Sequence, residues 1–217
     1  MTLRYPVLLD LAGAPCLVVG GGAVAERKVR GLLAVDADVT VLAPDLRAGL
    51  AEVVAAGQAT WAEGRYERGR AGGGWRFVVA ATDAPSVNAE VVDDATATGT
   101  WANDATAPTG GPAALPAVER RGAVTVTVST GGAHPGAARW LCDLAAAAVG
   151  PEHAAAVDLV AEVQAEAPAV AGPDGPSGAG RPDWRAAVDS GMLDLIRTGR
   201  RAEAKERLQA CLSSSSD

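Results

Sequence analysis

The chain has 217 residues and a net charge of −7, which argues against a nucleic-acid binder unless its basic residues cluster in one place. Its hydrophobic content of 48% suits one full α/β core with a smaller unit attached. No stretch approaches the roughly 18 uninterrupted apolar residues of a membrane helix. The first residues do not resemble a secretory signal, so we expect no membrane partner and a cytoplasmic protein.

The three cysteines suggest neither a disulfide framework nor a zinc site. Cys16, Cys142 and Cys211 are widely spaced and include no C-x-x-C pair. Each is therefore expected to act as a small buried apolar residue.

The first predicted strand runs into three glycines. Leu17–Val19 is apolar, Gly20, Gly21 and Gly22 follow, and helix-forming residues then resume. Gly20, Gly22 and Ala25 fill the pattern G-x-G-x-x-G/A, in which glycines let the backbone approach a pyrophosphate and the next helix presents free N–H groups to it. An ordinary glycine loop is the alternative interpretation.

The residues after the glycines complete a βαβ unit. Apolar residues recur at helical spacing from Ala25, and Asp38–Ala43 is typical of a second strand. Asp45 lies 20 residues past Ala25, close to where such folds place the carboxylate that accepts hydrogen bonds from the adenosine ribose. A carboxylate there would repel a 2′-phosphate, so the sequence favours NAD over NADP. Alternatively, Asp45 is only a turn residue after Pro44.

Strands and helices continue to alternate, which predicts an α/β fold with a Rossmann-type parallel sheet. The next predicted elements are a helix over residues 45–57, short strands over 58–62 and 100–102, and a buried strand over 75–81 that leads into a helix from Ser86. Ligands of such sheets bind beyond the carboxyl ends of the strands. Thr82 and Asp83 are therefore expected beside the cofactor, although both residue types also cap helices.

The pattern changes near residue 113. Ala123–Val128 alternates valine and threonine, as in a half-buried strand outside the main sheet, which is often an oligomer contact. The remaining predicted elements are helices over 137–149 and 152–165, a flexible link over 168–182, a helical hairpin over 184–197 and 202–212, and a frayed tail from Ser213. The predicted domains are an NAD-binding domain (1–112), a region with the expected oligomer contact (113–150), to which the resemblance described below also assigns part of the active site, and a helical C-terminal region (151–217).

Six blocks keep the order and spacing of one known family over roughly residues 5–145. They are Tyr5–Leu11, Val18–Lys28, Val39–Pro44, Val79–Asp83 with Asn88, Leu115–Ala117 with Arg121–Gly122, and Ser129–Gly132 with Pro135. With these blocks the chain resembles the precorrin-2 dehydrogenases, a family that includes the amino-terminal module of sirohaem synthases. The resemblance implies a homodimer that oxidises precorrin-2 to sirohydrochlorin with NAD, in sirohaem or cobalamin biosynthesis.

The resemblance also implies positions for the cofactor and the substrate. Cofactor contacts fall on Ala23 and Val24 after the glycines and on Pro44 and Asp45 after the second strand. Thr130 matches a hydroxyl position in the loop that borders the active site.

The family's catalytic aspartate has no direct match in this chain. That aspartate belongs to an Asn-x-x-Asp pattern, and here Asn103 is followed three residues later by Thr106. The nearest carboxylate is Asp104, which a shifted loop can bring to the substrate beside Asn103 as the proton acceptor. Thr106 cannot act as such a base near neutral pH. The alternative for Asp104 is a solvated loop carboxylate.

Precorrin-2 is polyanionic, so an acidic protein must gather positive charge locally. Arg120, Arg121 and Arg139 flank the candidate loops and are the predicted substrate ligands, or else solvated surface charges. His134 is more typical of a loop histidine than of a metal ligand, because one histidine without partners at ligand spacing is a poor metal site. No metal ligands are therefore predicted.

Two other functions stay open. Some relatives also insert iron into sirohydrochlorin, so the same site can be that of a ferrochelatase. Thr106 motivates the second alternative, a non-catalytic NAD-binding sensor that kept the fold and lost the carboxylate. A methyltransferase module is not expected, because 217 residues leave no room for one.

Overall fold

The computed structural model of the protein describes residues 4–107, 110–166 and 184–214. These residues form two compact units. The first, here called the sheet unit, extends to Leu115 and also includes Ser129–His134, and the second, the hairpin unit, comprises Pro116–Val128 and the chain from Pro135 onward. The predicted flexible link over 168–182 lies outside the described residues.

The sheet unit contains a five-stranded parallel sheet with the order β3-β2-β1-β4-β5. The strands are β1 (Pro15–Val19), β2 (Asp38–Ala43), β3 (Thr60–Glu63), β4 (Phe77–Ala80) and β5 (Trp101–Asp104). The helices of this unit are α1 (Ala23–Leu33), α2 (Ala48–Ala55) and α3 (Pro85–Ala97). This strand order is that of the first five strands of a Rossmann fold, and it confirms the predicted fold class.

Helices cover both faces of this sheet. Val18 and Val41 lie in the cluster that includes Val29 of α1 and Leu50 of α2. Residues on the opposite face of the same strands cluster with Val91 of α3. Strand β1 is therefore buried on both sides, which explains its uninterrupted apolar sequence.

The cysteine at the start of this strand is buried as expected. Cys16 is fully buried in the same cluster as Val18. Burial raises the pKa of the Cys16 thiol to about 11, so this thiol stays protonated and acts as a small core residue.

The hairpin unit begins with a strand that periodicity did not predict. Strand β6 (Ala117–Arg121) pairs antiparallel with β7 (Val124–Val128). The valines of β7 are half-buried and its threonines exposed, and Cys142 Sγ of helix α4 (Pro135–Ala147) donates to Val126 O at 3.6 Å. Helix α4 of the same chain therefore covers part of the valine face that was expected to contact another subunit.

The rest of the hairpin unit is helical. It contains α5 (Pro151–Glu166), α6 (Trp184–Ala187), a π-helical turn (Val188–Met192), α7 (Leu193–Arg197) and α8 (Arg201–Ser214). Leu159, Met192, Leu195 and Leu208 form their shared core. Since α8 runs to Ser214, the predicted frayed tail is wrong for Ser213 and Ser214.

Among the described residues, no single helix is long and apolar enough to cross a membrane. Helices α4 and α5 reach that length and composition only as a pair, with a bend of 69° between them.

A half-buried tyrosine connects the loop before β4 to helix α3. The Tyr66 hydroxyl donates to Asp94 Oδ2 at 2.5 Å, and the N–H of Gly69 donates to the same oxygen at 2.5 Å. The Tyr66 bond, followed by the Gly69 bond, favours the ionised carboxyl and lowers the pKa of Asp94. The stabilisation is therefore present above the unfolded-state pKa and is lost as the pH falls through the folded-state pKa.

We predict that Asp94→Asn lowers the free energy of unfolding near pH 7. The difference from wild type should shrink as the pH falls below about 4, the ordinary pKa of an aspartate in the unfolded chain, towards the lower pKa of Asp94 in the folded protein. Urea unfolding across this pH range measures both effects, with Asp93→Asn as a control at an exposed neighbour. If the difference in unfolding free energy between wild type and Asp94→Asn did not change with pH, the ionised Asp94 carboxylate would not be the stabilising group.

Candidate functional site

Two of the three glycines have no room for a side chain. A Cβ on Gly20 would lie 2.4 Å from Ala81 O, and one on Gly21 would lie 1.9 Å from Asp45 O. Gly20 also has φ of +125°, a backbone conformation that favours glycine. The turn after β1 therefore packs directly against the backbone that follows β4 and the backbone that follows β2.

The third glycine differs, because nothing lies within 4 Å of a Cβ built on Gly22. Gly22 is the N-cap residue of α1 and supplies no side-chain cap. Among the described residues, no hydrogen bond to the N–H groups of Ala23 or Val24 is found. Open space in front of free helix N–H groups fits a pyrophosphate.

The predicted ribose-binding segment lies against this turn. Pro44 and Asp45 are exposed, and the N–H of Arg47 donates to Gly21 O at 2.9 Å. This bond and the close approach of Asp45 O to Gly21 keep the chain extended past Asp45. Helix α2 consequently starts at Ala48, three residues later than the sequence predicted.

A chain of hydrogen bonds links the end of β4 to the end of β5. Asn88 of α3 is fully buried, and its Oδ1 accepts from Thr82 N at 3.0 Å and from Thr82 Oγ1 at 2.6 Å. Asn88 Nδ2 donates to Thr82 O and to Thr106 Oγ1, both at 3.1 Å. The Thr106 hydroxyl then donates to Asp104 Oδ1 at 2.7 Å. Side chains at the carboxyl ends of the strands thus connect the end of β4 to the carboxylate of Asp104.

Asp104 is the last residue of β5, and it is held by its own loop. Besides the Thr106 hydroxyl, Asp104 Oδ1 accepts from Thr106 N at 2.8 Å and from Ala107 N at 3.1 Å. No hydrogen bond to Asp104 Oδ2 is found among the described residues. One oxygen of Asp104 therefore orders the loop. Only 8% of Asp104 is exposed, so it is not the solvated carboxylate of the alternative interpretation.

Asn103 faces the other side of the sheet, since neighbouring residues of a strand point to opposite faces. Its Nδ2 donates to Ala113 O at 3.0 Å. Its Oδ1 is buried and has no hydrogen-bond partner among the described residues. Asn103 therefore fixes the segment after β5, and in this structure it does not present its side chain to solvent.

Thr130 lies in a tight turn of the sheet unit. Its Oγ1 donates to His134 O at 3.3 Å and accepts from His134 N at 3.4 Å. The hydroxyl that the resemblance assigned to the substrate thus closes its own loop.

The three predicted arginine ligands belong to the hairpin unit and differ in their bonding. Arg120 and Arg121 are exposed at the end of β6, and their side chains donate no hydrogen bond in the part of the chain that the structure describes. Arg139 is ion-paired with Asp143 and Glu119. The hydrogen bonds that Arg139 donates to Asp143 and then to Glu119 raise the pKa of Arg139, and its charge is already compensated.

Two functional candidates were not assigned a role by sequence reasoning. Asn88 was quoted only as part of the resemblance, and Thr106 only as a missing aspartate. Their spacing from Thr82 and Asp104 was visible, but only the fold brings them into contact. Among the described residues, no three His, Cys, Asp or Glu side chains are grouped to hold a metal ion.

The strand order, the glycine turn and the open helix N-terminus together define a dinucleotide-binding Rossmann protein. Residues 7–117 match the model of the NAD_binding_7 family, which describes NAD(P)-binding proteins. The chain belongs to this NAD(P)-binding family, in the branch of precorrin-2 dehydrogenases and sirohaem synthase amino-terminal modules, and it uses NAD.

Similar proteins support this membership. The chain is 40% identical to siroheme synthase 3 of Aeromonas hydrophila over 152 residues, which is 70% of this chain and 32% of the relative. It is 31% identical to the siroheme synthase of Photobacterium profundum over 94% of this chain and 42% of the relative. The chain thus spans about a third of the first relative's length. A solved structure of SirC, a precorrin-2 dehydrogenase, matches with a TM-score of 0.71 and 25% identity over 96% of this chain and 98% of that one.

We predict that alanine substitutions at two neighbouring glycines have different effects, one on stability and the other on NADH binding. Gly21→Ala should lower the free energy of unfolding by about 3 kcal/mol, because the new methyl group meets the Asp45 backbone. Gly22→Ala should leave stability within about 1 kcal/mol of wild type, yet weaken NADH binding at least about tenfold, because the methyl group enters the space expected for the pyrophosphate.

Thermal unfolding and fluorescence titration with NADH separate these effects. Unchanged NADH affinity in a folded Gly22→Ala variant would contradict the proposed position of the pyrophosphate.

Proposed function

We propose that the chain is an NAD-dependent dehydrogenase that oxidises precorrin-2 to sirohydrochlorin in sirohaem or cobalamin biosynthesis. The names of its relatives support this pathway. The observation that carries the proposal is the hydrogen-bonded chain from Thr82 to Asp104. These bonds fix the carboxylate of Asp104 at the carboxyl ends of the strands, where the glycine turn also lies. A dehydrogenase needs a base close to its hydride acceptor.

The reaction removes a hydride and a proton from precorrin-2. NAD, when bound, supplies the hydride acceptor, and two electrons leave the substrate with the hydride. The proton goes to Asp104 Oδ2, because Oδ1 is already occupied by three donors. Asn88 donates to the Thr106 hydroxyl, which directs the hydroxyl proton of Thr106 towards Asp104 and keeps the carboxylate in place. Thr106 therefore holds the base in this chain and does not replace it.

Substrate carboxylates need cationic partners. Arg120 and Arg121 are the stronger candidates, because their guanidinium groups are exposed and can form bidentate pairs. Arg139 contributes by holding β6, since its Nη1 donates to Val118 O at 3.2 Å.

We predict that Asp104→Asn lowers the rate of sirohydrochlorin formation by about 100-fold or more, the usual contribution of a general base. Asparagine keeps an Oδ1 acceptor for the loop but cannot take up the proton. Anaerobic turnover with precorrin-2 and NAD gives the rate, and NADH titration shows whether the cofactor site is intact. Asp93→Asn, which changes an exposed carboxylate of α3, is the control and should retain activity.

One observation favours the alternative of a non-catalytic sensor, because the three bonds to Asp104 Oδ1 are also those of a purely structural turn. Wild-type protein that binds NADH without any turnover would favour the sensor, especially if Thr106→Asp, which restores the Asn-x-x-Asp pattern, gained activity. Wild-type activity in Asp104→Asn would refute the catalytic assignment. Incubating sirohydrochlorin with ferrous ion as a substrate tests the chelatase separately.

We also propose that the chain forms a homodimer through α4. Three large apolar side chains of this helix are exposed: Trp140 (63%), Leu144 (61%) and Leu141 (36%). Exposed apolar patches of this kind mark interaction surfaces.

We expect Trp140→Glu to yield a folded monomer in sedimentation analysis, with Thr127→Glu on the exposed face of β7 as the control. Unchanged dimers of the Trp140 variant, or wild-type protein that is monomeric, would contradict this interface.

A further inference from the structure

A cleft with three arginines lies beside the glycine turn. It has a volume of about 330 Å³ and is lined by Ala23, Glu26, Arg27, Arg30 and Arg47. Four of these residues belong to the first turns of α1, and Arg47 comes from the segment that follows β2. An acidic protein has thus concentrated basic groups at one end of its cofactor site.

Backbone contacts fix Arg47 at this position. Its N–H donates to Gly21 O at 2.9 Å, and Gly21 also packs against Asp45 O. Arg47 therefore lies beside the glycine turn, two residues after Asp45, whose carboxylate is expected to bind the ribose. Sequence spacing had indicated only Asp45.

The positive charge of the cleft is only partly compensated. Glu26 pairs with Arg30 at 3.0 Å and with Arg47 at 3.7 Å. The Glu26 carboxylate fits there because Gly49, which lies against it, has no side chain. No hydrogen bond or ion pair of the Arg27 side chain is found within the described ranges. Three guanidinium groups therefore line the cleft together with one carboxylate, that of Glu26.

We propose that this cleft accepts the 2′-phosphate of NADP, so that the chain binds NADPH as well as NADH, and that Arg47 is the residue that permits this. In Rossmann proteins an acidic residue after the second strand binds the ribose 2′-hydroxyl, whereas a nearby arginine accommodates a 2′-phosphate. This chain has both groups. The inference rests on the cofactor-binding part of the proposed function and does not depend on the substrate.

Arg47 can turn towards a phosphate at little cost. Its side chain is 59% exposed and its pair with Glu26 is long, and exposed pairs contribute little to stability. A guanidinium group binds phosphate more strongly than such a pair, because two N–H groups donate in parallel. The carboxylate of Asp45 opposes the 2′-phosphate, which sets the two affinities close together instead of selecting NADPH alone.

The test is fluorescence titration of the intact protein with NADH and with NADPH, which needs no turnover. We expect wild-type dissociation constants for the two dinucleotides within about tenfold of each other. Arg47→Ala should weaken NADPH binding by about 10- to 100-fold, the loss for one charged hydrogen bond, and should change NADH binding less than about twofold. Asp45→Asn should strengthen NADPH binding, and NADPH affinity should fall more steeply with salt than NADH affinity.

Arg76→Ala is the matched control, since Arg76 is exposed and precedes β4, at the amino end of the strand and away from the glycine turn. It should leave both affinities unchanged. Two results would overturn the proposal: NADPH binding more than about 100-fold weaker than NADH binding in wild type, or equal losses for both dinucleotides in Arg47→Ala. If neither dinucleotide binds, the cofactor site itself is refuted. If NADH alone binds, only the role of Arg47 fails.

Discussion

The packing of the chain at the carboxyl ends of the parallel strands depends on the absence of side chains at Gly20 and Gly21. Gly20 touches the backbone after β4, and Gly21 touches the backbone after β2. Three separate chain segments can meet there only because neither residue has a Cβ. Their meeting leaves the N-terminus of α1 open at Gly22 and holds Asp45 and Arg47 beside it. The cofactor site is therefore a consequence of close backbone packing and not of one loop's own conformation.

The candidate catalytic group extends this arrangement through side chains. Asn88 joins Thr82, next to the glycine turn, to Thr106 and so to Asp104. A buried amide with all its bonds made is stiff, because breaking any of them leaves an unpaired polar group. The change from aspartate to threonine at position 106 is then compatible with catalysis, since the hydroxyl now positions a carboxylate two residues earlier.

The sequence predicted the elements whose residues act through local patterns. The apolar run of β1, the glycines and the boundaries of β2 follow from periodicity and turn chemistry. Strand β6 was missed, because Ala117–Arg121 ends in charged residues and is defined by its pairing with β7. Asp45 was predicted from its spacing, and Asp104 from the resemblance to a family with an Asn-x-x-Asp pattern. The roles of Arg47, Asn88 and Thr106 were not, because they arise from contacts between segments that are distant along the chain.

In the proposed reaction, this chain transfers a hydride from precorrin-2 to NAD. The most direct measurement is anaerobic incubation of the wild-type protein with precorrin-2 and NAD, with NADH and sirohydrochlorin quantified together over time. We expect the two products to appear in equal amounts and at equal rates, and neither to appear without NAD. Sirohydrochlorin formed without NADH, or no product from protein that binds NADH normally, would contradict the claim.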